Sequence, residues 1–218
     1  LSDVIQRVSY PLLSLIQADD EQLKSGYRKI LGLSAFVTFP LMIWLAVAAR
    51  PLITILLTDK WIDAASYLQI ICFVMMWYPI HSINLNLLQV KGRSDLFLRL
   101  EIIKKVISVI VLLITLPMGL LSMCWGQVVT SLIALVINTF YTGKLIHVGF
   151  GEQMKYFLPI LIRAFLSGGV ALFAIEISEG YYLQVILSFI SGVSFYLLVS
   201  FSMCRMLWKE GLEIFGRK

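Results

Sequence analysis

His81, Asn84 and Asn86 stand close together in "WYPIHSINLNLLQ", a stretch otherwise apolar. Their side chains can hydrogen-bond a sugar, a phosphate or water, and Pro79 just before them removes a backbone donor and loosens any helix there. At helical spacing, positions 81, 84 and 88 share a face, with 86 and 89 to the side. Two roles suit such a group. It lines a wet cavity, or it ties helices together at about 0.6 to 2 kcal/mol per hydrogen bond. Arg7, in "VIQRVSYP", is the other polar candidate. At membrane depth an arginine meets an anionic substrate, and near a helix end it snorkels to the headgroups. Arg163, near the start of its own apolar run, is expected to snorkel, and Glu176 to sit at the interface.

Hydrolytic and metal chemistry have no comparable foothold. The chain has no phosphate-cradling glycine loop with a lysine, no HExxH and no GxSxG. Asp19, Asp20 and Glu21 read as a solvated run, and the two histidines, His81 and His147, fall in different elements. Cys72, Cys124 and Cys204 lie in apolar runs without metal-ligand spacing. No enzyme activity, metal, cofactor or disulfide framework is expected.

The elements that hold these residues are membrane helices. Of 218 residues, 59% are hydrophobic and 14% charged, where a soluble domain carries about 25% charged residues. Crossing the hydrocarbon core takes about 20 apolar residues. The spacing predicts an all-α transmembrane bundle with six spans, at about Ile30–Leu57, Ala64–Val90, Ile102–Leu116, Leu120–Leu145, Phe157–Ile177 and Leu183–Leu207. A partial helix occupies about residues 1–16, and the third span is short unless its basic flank snorkels. Connections such as "TDKWID", "PMG" and "SEGYY" are too small for separate domains, so residues 1–218 read as one membrane domain, a fragment of something longer. In the fourth span Gly126, Gln127 and Asn138 are candidates for helix contacts, as are Thr130 and Ser131.

Net charge is +5, and the basic residues cluster between apolar runs without interleaved aromatics, which points to topology and not to nucleic acid. If connections alternate sides, one side receives fourteen Lys and Arg and the other only Arg50 and Lys60. Short loops rich in Lys and Arg stay in the cytoplasm. Lys91, Arg93, Lys104 and Lys105, in "KGRSDLFLRLEIIKK", therefore mark a cytoplasmic turn that sets topology, and the C-terminus is cytoplasmic too. Trp61, Tyr181, Tyr182 and Trp208 lie near span ends, where amphipathic rings favour the headgroup layer.

Four stretches resemble the C-terminal half of the polysaccharide transporter family, within the multidrug/oligosaccharidyl-lipid/polysaccharide exporter superfamily. They are "YPLLSLIQADDEQLKSGYRKIL" at 10–31, "PLITILLTDKWIDAASYLQII" at 51–71, "NLNLLQVKGRSDLFLRLEIIKK" at 84–105 and "GLLSMCWGQVV" at 119–129. Thr58 departs from the pattern, because the family commonly has Gly before its K-W pair. The resemblance implies a bacterial inner-membrane flippase of 12–14 helices in two bundles. This chain would supply the second bundle and final helix pair, and an N-terminal half is missing. The implied substrate is an undecaprenyl-diphosphate-linked oligosaccharide, with membrane lipid the other partner. Arg7 would contact its diphosphate or an acidic sugar; His81, Asn84 and Asn86 would hydrogen-bond sugar or water. Two rivals stay open: a multidrug/cation antiporter of the same superfamily, and a membrane subunit that transports nothing.

Overall fold

The computed structural model describes residues 2–201, with side chains from residue 9 onward. Among the described residues the α-helices are α1 (Ser2–Leu15), α2 (Asp20–Val47), α3 (Ala49–Leu57), α4 (Ala64–Val90), α5 (Ser94–Thr115), α6 (Leu120–Ile146), α7 (Phe150–Glu176) and α8 (Tyr181–Val199). Two short 3-10 turns, Asp59–Trp61 and Leu116–Met118, follow α3 and α5. Five helices (α2, α4, α6, α7 and α8) are long and apolar enough to cross a membrane, so this is a multi-pass membrane protein.

The expected first span is two helices. Pro51 lies in the first turn of α3 and offers no N–H to the turn before it, so α2 stops at Val47 and a new helix starts at Ala49. The expected third span falls in α5, which carries Asp95, Arg99, Glu101, Lys104 and Lys105 and is not among the five. The basic turn is also shorter than expected. Only residues 91–93 form it, because residues 94–105 contain no Gly or Pro and continue as helix from Ser94. Gly92 makes the turn possible with a φ of 68°. The expected span 157–177 starts earlier, at Phe150, and the last one is α8 as far as Val199, with residues 202–207 outside the described residues. Trp61 and Tyr182 are exposed, as interfacial rings would be, while Trp208 lies outside the described residues.

The chain divides into two compact units, one of Leu1–Ala35 with Val74–Phe157, the other of Phe36–Phe73 with the chain from Leu158 on. In the first, ion pairs Lys91–Asp20 and Arg28–Glu152 join the end of α4 to the start of α2, and α2 to the start of α7. Arg28 also lies over the Tyr156 ring, 5.8 Å from its centroid. Gly126 lets α5 and α6 touch, since a Cβ there would stand 2.9 Å from Val111 Cγ1. Apolar side chains cover much of the outside of α5 and α6, among them Val109, Leu113, Trp125 and Val136, as lipid-facing helices require.

In the second unit, Ala49, Ile53 and Ala65 form a small buried core. Trp44 sets its indole edge-on to Phe189, with centroids 4.8 Å apart. Gly168 packs on Ile43 and Gly192 on Ala171, the small-residue contacts by which membrane helices approach. Pro40 cannot donate to the carbonyl four residues back, that of Phe36. The Tyr196 hydroxyl donates to that carbonyl instead, at 2.9 Å.

Candidate functional site

Two polar constructions occupy the first unit, one closed and one open. The closed one centres on Asn84. Its Oδ1 accepts from the Tyr27 hydroxyl at 2.7 Å, the Thr142 hydroxyl at 2.6 Å and Gln153 Nε2 at 3.2 Å. Its Nδ2 donates to the Ile80 carbonyl at 2.9 Å, and Gln153 Nε2 also reaches Tyr27 Oη at 2.9 Å. All four residues are fully buried. They come from α2, α4, α6 and α7, so one amide fastens four helices.

Asn86 is also buried and donates to Ser9 Oγ of α1 at 2.8 Å. Of the residues grouped in the sequence, Asn84 and Asn86 thus face helix neighbours, and only His81 borders open space. Arg7 lies in α1, but its side chain is outside what the structure describes. Cys72 and Cys124 are buried free thiols, and Cys204 lies outside the described residues.

The open construction is a cleft of about 260 Å³ among α4, α5 and α6. One wall is Val74, Tyr78 and His81 of α4; the second is Glu101, Lys104, Lys105 and Ser108 of α5; the third is Gln127, Thr130, Ser131 and Ala134 of α6. A water takes about 30 Å³ in the liquid, so several fit, and the walls supply them with donors and acceptors. From Ser94 to Lys104, at about 1.5 Å per residue, the cleft lies roughly 15 Å along α5 from the basic turn.

His81 is held at both ring nitrogens. Asn138 Nδ2 lies 3.4 Å from Nδ1, and Nε2 lies 3.2 Å from Ser131 Oγ. Both contacts come from α6, so the ring is braced against that helix at two points. Asn138 Oδ1 is buried with no hydrogen-bond partner. On α5, Lys104 pairs with Glu101 one turn back, and its side chain is only 16% exposed.

Of the three helix-contact candidates, Gly126 sits at the α5–α6 contact and Asn138 braces His81, while Gln127 lines the cleft from an exposed position. Lys91 and Arg93 lie at the turn, paired with Asp20 and Asp95. Lys104 and Lys105 lie in the cleft. Sequence reasoning did not single out Tyr27, Thr142, Gln153 or Glu101. Glu101 and Lys104 are an i, i+3 pair where the apolar run begins, and that spacing was the available signal. Among the described residues no group of three His, Cys, Asp or Glu could hold a metal ion.

A family model described as "Polysaccharide biosynthesis protein" matches residues 1–66. The chain is 28% identical over 149 residues to an "Uncharacterized membrane protein in cps region" of Klebsiella pneumoniae, which covers 66% of this chain and 30% of that protein. It is 24% identical over 168 residues to the "Lipopolysaccharide biosynthesis protein WzxC" of Escherichia coli strain K12, covering 77% and 34%. With the "Teichuronic acid biosynthesis protein TuaB" of Bacillus subtilis strain 168 it shares 22% identity over 204 residues, covering 91% and 42%. The chain thus resembles membrane proteins named for polysaccharide biosynthesis along most of its length. It spans less than half the length of each of the three relatives. The match to the polysaccharide biosynthesis model ends before Val74, where the cleft begins. No solved structure matches the chain.

Proposed function

We propose that this chain is the C-terminal part of a flippase that moves an undecaprenyl-diphosphate-linked oligosaccharide across the bacterial inner membrane by alternating access. In that mechanism two helical bundles rock about a central site while the lipid tail stays in the bilayer. The observation that carries the reading is the cleft, which gathers two lysines, a histidine and several hydroxyls between α5 and the apolar helices α4 and α6. Ionisable groups so placed are costly and mark a path for polar cargo. The relatives' names, which speak of lipopolysaccharide and teichuronic acid biosynthesis, supply the class of cargo.

In this reading residues 1–218 are one membrane domain, the second bundle and final helix pair of a 12–14-helix transporter whose other half is missing. α5 makes the third of six crossings, with Glu101, Lys104 and Lys105 toward the cleft and its apolar side chains toward lipid. The turn at Lys91 and Arg93 is cytoplasmic, as is the C-terminus. His81 and Ser131 hydrogen-bond sugar or its water, and Arg7 meets the diphosphate or an acidic sugar. Asn84 and Asn86 act on the path by fixing the helices beside it. Deleting the gene should strand lipid-linked repeat units on the cytoplasmic leaflet, scored by their absence from surface polysaccharide. Unchanged export in the deletion strain refutes the reading.

A further inference from the structure

The charges in the cleft are unequally matched. Lys104 has Glu101 as its partner, one turn back on the same helix and partly withdrawn from solvent. Lys105 is exposed and has no ion-pair partner among the described residues. Two lysines against one carboxylate leave one positive charge in excess among the Lys and Glu side chains of the cleft. The Ser131 hydroxyl lines the same space. Such a lining suits an anion with several acceptor oxygens.

We propose that Glu101 is a displaceable counter-ion: it holds Lys104 between substrates and yields Lys104 and Lys105 to a lipid-borne phosphate as that headgroup crosses. The inference rests on the flippase reading and adds the control of its site. Two uncompensated ammonium groups packed beside the apolar helices α4 and α6 would be costly, and a phosphate held by both would leave slowly. A carboxylate tethered one helical turn away solves both problems. It neutralises Lys104 while no phosphate is bound, and it competes for Lys104 when the phosphate must go. No bond is made or broken, and only one ion pair is exchanged for another. Lysine suits this exchange because its charge is a point on a flexible stem, without the fixed two-point fork of arginine.

The test uses the full-length protein in detergent, titrated calorimetrically with farnesyl diphosphate, inorganic pyrophosphate and phosphatidylglycerol. Farnesyl diphosphate should bind about tenfold tighter to Glu101→Gln and about tenfold weaker to Lys105→Gln, the scale of one charge contact. Lys105→Arg should restore binding. In cells Glu101→Gln should export less polysaccharide than wild type despite its tighter binding. Unfolding midpoints near wild type for the variants exclude misfolding as the cause. Equal affinities in all variants, or weaker binding by Glu101→Gln, would overturn the proposal. So would phosphatidylglycerol following the same pattern with equal affinity, which would make the cleft a general phospholipid site. Loss of export on gene deletion with unaltered binding by the variants defeats this proposal alone. Altered binding with unaffected export in the deletion strain defeats the flippase reading alone.

Discussion

Tyr196 of α8 donates its hydroxyl to the carbonyl of Phe36 in α2, the carbonyl whose helical partner would have been the missing N–H of Pro40. A side chain far along the sequence thus repairs a gap that a proline opens, and in lipid no water is there to do it. Tyr196→Phe should lower the unfolding free energy in detergent by about 0.6 to 2 kcal/mol. In a Pro40→Ala background, where residue 40 can donate, the same change should cost clearly less. Equal costs in the two backgrounds would show that the bond does not compensate for the proline.

Thr58 adopts φ 72° and ψ 168° between α3 and the turn at Asp59–Trp61. This region is nearly confined to glycine, and a β-branched residue there is strained by about 1 to 3 kcal/mol. Thr58→Gly should raise the thermal midpoint, because the strain relieved exceeds the roughly 0.5 to 1 kcal/mol that glycine costs in chain entropy. Thr58→Ala should not gain comparably.

Asn84 is the shared acceptor for Tyr27, Thr142 and Gln153. Asn84→Leu keeps the volume but strands several donors, each buried polar group left unpaired costing about 1 to 3 kcal/mol. Tyr27→Phe removes one donor and leaves Asn84 Oδ1 two others, so its cost should be the smaller. Unfolding midpoints of the two variants in detergent check the order.

Asp95 lies in the first turn of α5, where Arg93 grips it through two hydrogen bonds of 3.0 and 3.1 Å. That hydrogen bonding lowers its carboxyl from 3.8 to about 2. A lowered folded value means that the contribution is complete above the unfolded value and is lost as pH falls through about 2. Arg93→Gln should return the carboxyl toward the ordinary range. A carbon-13 label on Asp95, followed by NMR from pH 6 to pH 1, reads the shift; identical titrations in both proteins would remove Arg93 as its cause.

Long apolar runs were legible in the sequence because lipid demands them. Ala64–Val90 matches α4 at both ends, and α6 differs from its expected span by one residue. Less legible was where a helix pauses. Ile30–Leu57 was expected as one span, and only the backbone shows that a new helix starts at Ala49. Least legible was the direction of polar side chains. His81 and Asn84 are three residues apart on one face, yet His81 meets α6 beside open space while Asn84 is sealed among four helices. A few tens of degrees around the helix decide between them, and neighbours distant in sequence set that angle. Lys104 and Lys105 were read as part of a loop because charge usually ends a span; they lie midway along α5 because the cleft takes up their charge.

The most direct test asks whether water reaches the cleft. In the full-length protein with Cys72, Cys124 and Cys204 replaced by alanine, single cysteines at Ser131 and Val136 can be compared in native membranes. Both belong to α6; Ser131 borders the cleft, and Val136 is 52% exposed on the apolar surface. A thiol ionises and reacts only where water reaches it. A water-soluble thiol reagent should label position 131 and spare position 136. Labelling at 136 with 131 untouched would contradict a wet polar path at this depth.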